Sequence, residues 1–312
     1  MNNDKLIVLL GPTATGKTRL AANVAFQIDG EIISADSRQV YLGMNIGTGK
    51  DYDDYYVRGR KIPCHLIDIA EPGEEYNLFR FQQDYTKTLD DVLQRGKNPI
   101  LCGGTGLYLH SVLKQYKLDE VPENLSLRKN LASKDMDELR KMLFELKIPH
   151  NKTDLEERDR LIRAIEIAYG KREAYKQDKL DVSLSKKEEN KGPLVFGLRF
   201  EREMIRKRIT SRLEKRLQEG MIDEVNNLLD RGLTFNQLEF YGLEYRYITR
   251  FLTGKLSYQE MFSKLNTAIH QFAKRQMTWF RKMEREGIEI KWIDGMLPLH
   301  SKVEIICGRI RS

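Results

Sequence analysis

Over its first third the chain alternates short apolar runs with longer amphipathic stretches. Lys5–Leu10 is apolar after its single lysine, the pattern of a strand covered on both faces of a parallel sheet. A glycine-rich turn follows, and from about Thr18 the apolar residues Leu20, Ala21, Val24, Ala25 and Ile28 keep helical spacing. Glu31–Ala35 and Pro63–Ile69 predict further strands. Asn77 predicts the cap of a helix running to about Arg95, with Phe81, Tyr85, Leu89 and Val92 on one side. Pro99–Cys102 predicts another strand, which Gly103-Gly104-Thr105 turns into a helix carrying Leu107, Leu109 and Leu113. Strands alternating with helices in this way imply α/β architecture, a parallel sheet flanked by helices.

After about Tyr116 the strands cease. Residues 117–170 read as helices, clearest from Asp154 to Tyr169, and 171–191 form a polar run with little periodicity that is expected to be exposed. Leu194–Leu198 reads as a strand returning to the sheet. Basic amphipathic helices follow over about 202–231 and 257–285, then a last strand at Glu289–Ile293. The expected organisation is a core in two parts, residues 1–116 and 194–312, carrying an all-helical insertion domain over 117–193.

Composition adds little to this picture and charge adds more. With 40% hydrophobic and 32% charged residues in 312, the chain has an ordinary globular balance. No apolar run approaches the roughly 20 residues that span a bilayer, and the N-terminus shows no secretory signal, so no membrane partner and a cytoplasmic location are expected. Cys64, Cys102 and Cys307 have no metal-ligand spacing and read as reduced core thiols. The net charge is +7, and basic residues crowd 199–216 and 274–285, which favours a nucleic-acid partner.

The sharpest chemical signal is Gly11-Pro12-Thr13-Ala14-Thr15-Gly16-Lys17-Thr18, a complete G-x-x-x-x-G-K-[ST] between a strand and a helix. Glycines let backbone N–H groups converge on phosphate oxygens, and the helix N-terminus adds a favourable dipole. Lys17 supplies a point charge, and the Thr18 hydroxyl can ligate Mg2+. The core is therefore expected to be a P-loop sheet. Asp36 follows the second strand at its carboxyl edge, where it reads either as a metal or proton acceptor or as the cap of the next turn. Thr105 reads either as a hydroxyl offered to substrate or as a plain helix cap. Arg208 and Arg212 share a helix face beside the stripe Ile205, Ile209, Leu213 and Leu217, and are either inward-reaching anion ligands or part of a solvated basic face. Near the C-terminus Leu265, Ile269, Phe272, Trp279 and Phe280 are expected to face the core. Lys274 and Arg281 lie on a polar stripe that reads either as suited to a sugar–phosphate backbone or as a salt-bridged exposed helix face.

Together these segments resemble the tRNA dimethylallyltransferases, also called tRNA isopentenyltransferases, from Leu6 to about Trp292. The resemblance is carried by GPTATGKT at 11–18, SADSRQVYLGMNIGT at 34–48, HLID at 65–68, GGTGLY at 103–108, DRLIRAIE at 159–166, RITSR at 208–212 and AKRQMTWFR at 273–281. It implies transfer of a dimethylallyl group from dimethylallyl diphosphate to the exocyclic amine of the adenosine on the 3′ side of a tRNA anticodon. The P-loop then holds the donor's diphosphate rather than ATP. By the same resemblance Asp36 is the general base and Thr105 contacts the target nucleotide, while Lys17, Thr18 with Mg2+, and Arg212 stabilise the departing diphosphate. The tRNA-contacting set it implies comprises Asp36, Ser37, Arg38, Gln39, Thr105, Arg128, Asp159, Arg160, Leu161, Ile162, Arg163, Gly242, Tyr245, Arg246, Lys274 and Arg281. The partner is the anticodon stem-loop, and the chain is expected to act as a monomer. Three places depart from the family pattern. Gly49-Lys50-Asp51 stands where alanine and then lysine-proline are usual, Gly242-Leu243-Glu244-Tyr245-Arg246 is longer than the usual Gly-Tyr-Arg/Lys, and His270 stands where an arginine is common. Rival readings are a P-loop kinase or ATPase, an isopentenyltransferase acting on free adenine nucleotides, and a nucleotide-gated RNA-binding protein without chemistry.

Overall fold

A computed structural model describes residues 5–116, 118, 121–146, 153–177 and 192–312. By its contacts the chain divides into two compact units, Met1–Tyr116 with Asn190–Ser312, and Lys117–Glu189.

The larger unit is built on a six-stranded, wholly parallel sheet. In chain order it comprises β1 (Ile7–Leu10), α1 (Lys17–Ile28), β2 (Gly30–Ala35), a small hairpin β3 (Tyr56–Val57) and β4 (Arg60–Lys61), β5 (Cys64–His65), α2 (Leu78–Gln94), β6 (Asn98–Gly103) and α3 (Gly106–Leu113). The order across the sheet is β5-β2-β6-β1, and it is completed by two strands from the second half of the chain, Leu194–Arg199 and Ile290–Asp294. Alternate residues of β1 face opposite ways. Ile7 and Leu9 pack with Leu20, Val24 and Ile306 on one side, while Val8 and Leu10 join Tyr41, Phe81 and Ile209 on the other. Both faces are covered, which is why the strand reads as one unbroken apolar run.

The smaller unit holds α4 (Leu125–Ala132), α5 (Met136–Leu146), α6 (Thr153–Glu156) and α7 (Arg158–Gln177) around its own core of Leu131, Leu139, Leu143, Leu161, Ala164 and Ile165. The helix expected over 154–169 is interrupted at Glu157, and the polar run expected over 171–191 is helical as far as Gln177. The rest of that run lies outside the described residues. The chain then returns to the larger unit with β7 (Leu194–Arg199), α8 (Arg202–Gln218), α9 (Met221–Asp230), α10 (Phe235–Phe240), α11 (Leu243–Leu252), α12 (Tyr258–Arg285), β8 (Ile290–Asp294) and α13 (Leu299–Arg311).

Three further sequence expectations are corrected. The strand expected over 63–69 stops at His65, because Leu66 and Asp68 adopt left-handed backbone conformations (φ 61° and 54°) that take the chain out of the sheet. The helix expected over 202–231 breaks into α8 and α9 at Gly220, whose φ of 93° suits glycine. Phe272, expected in the core, is 38% exposed, whereas Leu265, Ile269 and Phe280 are buried as expected. The α12 start is a capping box in which Ser257 and Glu260 satisfy each other's backbone N–H. No helix among the described residues is long and apolar enough to cross a membrane.

Candidate active site

The register of the sheet decides where the chemistry gathers. Leu10 of β1 and Ala35 of β2 both stand opposite Gly103 of β6, so three strand ends are level. The P-loop, Asp36 and the Gly104-Thr105 turn all emerge from that row, at the carboxyl edge where ligands of such sheets bind. The P-loop is tied internally: Thr15 Oγ1 donates to the Pro12 carbonyl at 2.9 Å, and Gly16 enters α1 at φ 78°. Lys17 Nζ lies 3.5 Å from the same carbonyl. Burial pulls the Lys17 ammonium below its ordinary pKa, Asp36 opposes that pull, and Arg212 and Arg216 add to it. Those four groups therefore share one electrostatic neighbourhood. The Thr18 hydroxyl, in the first turn of α1, makes no hydrogen bond among the described residues. No group of three or more His, Cys, Asp or Glu that could cage a metal occurs among them either. A lone hydroxyl beside a phosphate cradle nonetheless fits Mg2+, which keeps several waters and takes the rest of its oxygens from phosphate.

The sequence allows two roles each for Asp36 and Thr105, and the structure separates them differently. Thr105 occupies the N-cap position of α3, yet its side chain makes no capping bond. Its Oγ1 accepts the Ser37 N–H at 3.0 Å instead, binding the β6 turn to the β2 turn. For Asp36 the turn-capping role is present, since Oδ1 accepts the Arg38 N–H at 3.0 Å, but it uses one oxygen only. Between these turns and the P-loop runs a bridge that sequence reasoning missed. Gln276 on α12 accepts the Thr13 N–H at 2.9 Å and donates to the Gly104 carbonyl at 2.8 Å, while only 5% exposed. A side chain at Gly104 would overlap Gln276 Nε2 and stand 3.2 Å from the Gly11 carbonyl. The signal for Gln276 was a polar residue on the apolar stripe of Ala273 and Phe280.

The two arginines of α8 part company. Arg208 Nε donates to the Ala14 carbonyl at 2.8 Å and its guanidinium covers the Phe200 ring, so it braces the P-loop from behind. Arg212 reaches the front: Nη1 is 3.4 Å from Thr13 Oγ1 and Nη2 is 2.8 Å from Asp51 Oδ2. Asp51 belongs to the departing Gly49-Lys50-Asp51 segment, whose loop is firmly built. Glu224 of α9 accepts the N–H groups of Asn45, Ile46 and Gly47 at 2.8, 2.7 and 3.0 Å, and the Lys50 side chain, wholly buried, pairs with Asp68 at 2.5 Å. Gln39 Nε2 donates to the Gly49 carbonyl at 3.0 Å. An open cavity of about 460 Å³ adjoins Glu224 and Arg231 but contains none of the P-loop residues.

The residues expected to contact RNA fall into two classes. Arg38 lies 5.3 Å from the centre of the exposed Phe240 ring, Lys274 and Arg281 are exposed on α12, and Arg246 Nε donates to the Glu239 carbonyl at 3.2 Å. Gly242 caps α11 at φ 140°, and His270 Nε2 is 3.3 Å from the Arg206 carbonyl. Tyr245, by contrast, is 1% exposed and its hydroxyl donates to Glu224 at 2.7 Å, which gives it to the core beneath the 45–50 loop. Within the helical unit Asp159 and Arg160 are exposed and Ile162 is half-buried. Leu161 is fully buried in that unit's core. Arg128 and Arg163 both clasp the buried Glu166, at 3.0 and 2.6 Å.

Two family models match the chain, one described as IPP transferase over residues 39–283 and one as isopentenyl transferase over residues 4–62. The chain is 53% identical over 304 residues to tRNA dimethylallyltransferase 1 of Parabacteroides distasonis, covering 97% of this chain and 96% of that one. It is 50% identical over 311 residues to tRNA dimethylallyltransferase 2 of Bacteroides fragilis, covering 98% of each. Among solved structures it is similar to the full-length tRNA isopentenylpyrophosphate transferase of Bacillus halodurans, with a TM-score of 0.69, 30% identity, and 99% and 97% of the two chains covered.

Proposed function

The chain belongs to the tRNA dimethylallyltransferases, the IPP transferase family, and from that premise we propose that it moves a dimethylallyl group from dimethylallyl diphosphate to the exocyclic amine of the adenosine 3′ to a tRNA anticodon. The observation that carries this reading is the bridging of the anion cradle to the two strand-end turns. Gln276 links Thr13 to Gly104, and Thr105 links that turn to Ser37 beside Asp36, so a carboxylate is held next to the P-loop.

In the reaction a bond forms between the adenine amine nitrogen and the allylic carbon as the bond from that carbon to the diphosphate oxygen breaks. The amine proton passes to the free oxygen of Asp36, and diphosphate departs with its negative charge. Lys17, the P-loop N–H groups and Arg212 hold that charge before it leaves, so they stabilise the transition state more than the ground state. Thr18 would hold Mg2+, which when bound would supply further neutralisation of the leaving group's charge. Thr105 positions the target nucleotide, which must leave the base stack to reach the site. Contact with the rest of the anticodon stem-loop is assigned to Ser37, Arg38, Gln39, Gly242, Arg246, Lys274 and Arg281, and in the helical unit to Arg128, Asp159, Arg160, Ile162 and Arg163. The same proposal has the chain acting as a monomer in the cytoplasm.

The test is donor choice. Anticodon stem-loop RNA is incubated with the protein and either dimethylallyl diphosphate or ATP, and the RNA is weighed by mass spectrometry. A gain of one dimethylallyl group with the first donor only is the expected result. Phosphate transfer from ATP, or prenylation of free AMP with the RNA untouched, would refute it.

A further inference from the structure

Arg216, one helical turn beyond Arg212 on α8, has an unusual position. Its side chain is 9% exposed, and its Nη2 makes no hydrogen bond among the described residues. Asp51 Oδ1 stands 3.7 Å from that nitrogen while Asp51 Oδ2 accepts from Arg212 at 2.8 Å, so one carboxylate faces two guanidinium groups. Burial and the adjacent Arg212 together pull the Arg216 pKa down to about 10, which still leaves it charged at neutral pH. Glu244, half-buried in the same crevice with Thr13 and both arginines, has its carboxyl pushed upward by burial. Among the acidic groups acting on Arg216, Asp51 comes first and Glu244 second.

A buried cation lacking a full set of acceptors is a costly arrangement unless an anion completes it. The local sequence is shaped to permit it. Gly49 has φ 77°, and a Cβ there would overlap Arg216 Nη2 and stand 2.6 Å from Arg212 Nη2. An alanine at this position would push both guanidinium groups away. Asp51 supplies the carboxylate. The bare backbone at 49 and the carboxylate at 51 thus meet on one residue, Arg216. Asp51 is the solvent-facing partner of the set, its side chain 51% exposed against 9% for Arg216, so it is the one with room to turn into water.

We propose that Arg216 is a second arginine for the donor's diphosphate in this chain, admitted by Gly49 and held in the empty site by Asp51, which yields the guanidinium pair when diphosphate arrives. The inference rests on the proposed donor. Diphosphate carries more charge than one carboxylate and offers several acceptor oxygens, so it satisfies both guanidinium groups where Asp51 satisfies one. Asp51 accordingly acts as a competitor of the ligand, and removing either partner shifts affinity in opposite directions. A purely structural ion pair lacks that signature.

The experiment is calorimetric titration of the full-length protein with inorganic pyrophosphate and with dimethylallyl diphosphate, in Mg2+ buffer. Arg216→Met is expected to weaken both ligands by about 10- to 100-fold, the loss of a charged hydrogen-bonding group. Arg216→Lys recovers part of that loss. Asp51→Asn, at an exposed position that leaves folding intact, is expected to tighten both ligands by roughly 2- to 10-fold, the release of one exposed competing ion pair. Binding unchanged in Arg216→Met, or weakened in Asp51→Asn, would overturn the proposal while leaving the donor assignment standing. Failure of the wild-type protein to bind either ligand would overturn both.

Discussion

At the scale of single residues, the proposed chemistry depends on what each side chain still has free. Asp36 gives one oxygen to the Arg38 N–H and keeps the other, which suits a carboxylate that must hold its orientation while taking a proton. Asp36→Ala is expected to lower single-turnover prenylation by roughly 10²–10⁴-fold, the usual effect of a lost general base, with RNA affinity little changed in a filter-binding assay. Turnover within a few-fold of wild type would place the base elsewhere. The P-loop residues were legible in the sequence because phosphate binding there is local, made by backbone N–H groups of consecutive residues. Gln276 was not, because its two partners, Thr13 and Gly104, lie 263 and 172 residues away. Thr105 is ambiguous in sequence for the same reason: only the Ser37 N–H, 68 residues distant, shows that its hydroxyl is not spent on capping α3.

At the scale of elements, α7 shows how a basic helix face is divided between stability and binding. Leu161, implied as an RNA contact by the resemblance, instead joins Ala164 and Ile165 in an inward stripe that the helical unit buries. Spacing does not predict that Arg163 turns toward Glu166. That carboxylate is 1% exposed and accepts from Arg128, Arg163 and the Asn124 N–H. Burial alone would raise its pKa, but Arg128, the Asn124 N–H and Arg163 outweigh it and hold the group below its ordinary value. A carboxylate with a depressed folded pKa adds stability above the unfolded pKa and loses it as pH falls through the folded one. Glu166→Gln is therefore expected to destabilise the helical unit by about 1.5–3 kcal/mol at pH 7, measured by urea unfolding followed by circular dichroism. The gap from wild type should shrink at pH 3. An equal gap at both pH values would mean that packing, not charge, explains the loss.

At the scale of the whole molecule, a net charge of +7 matters through its placement. Lys274 and Arg281 are exposed on α12 and make no ion pair among the described residues. Replacing either with alanine is expected to lower the slope of log K against log salt for anticodon stem-loop RNA by about 1, with the melting temperature unmoved. An unchanged slope would remove that lysine or arginine from the RNA-binding surface. Sequence alone specifies the strand–helix alternation, the parallel sheet, the phosphate-binding turn and the start of α2 at its Asn77 cap. Each is encoded in neighbouring residues through backbone preference, apolar spacing or a capping side chain, and so survives being read one window at a time. Only the tertiary structure decided which polar groups are spent and which remain available. Glu224 fixes the 45–47 loop from 177 or more residues away, Tyr245 is drawn into the core beneath it, and Arg216 is left over Gly49 with Asp51 as its main countercharge. Charge and hydrogen bonding act through space, so their partners are set by how the strands and helices pack, not by the order of residues along the chain.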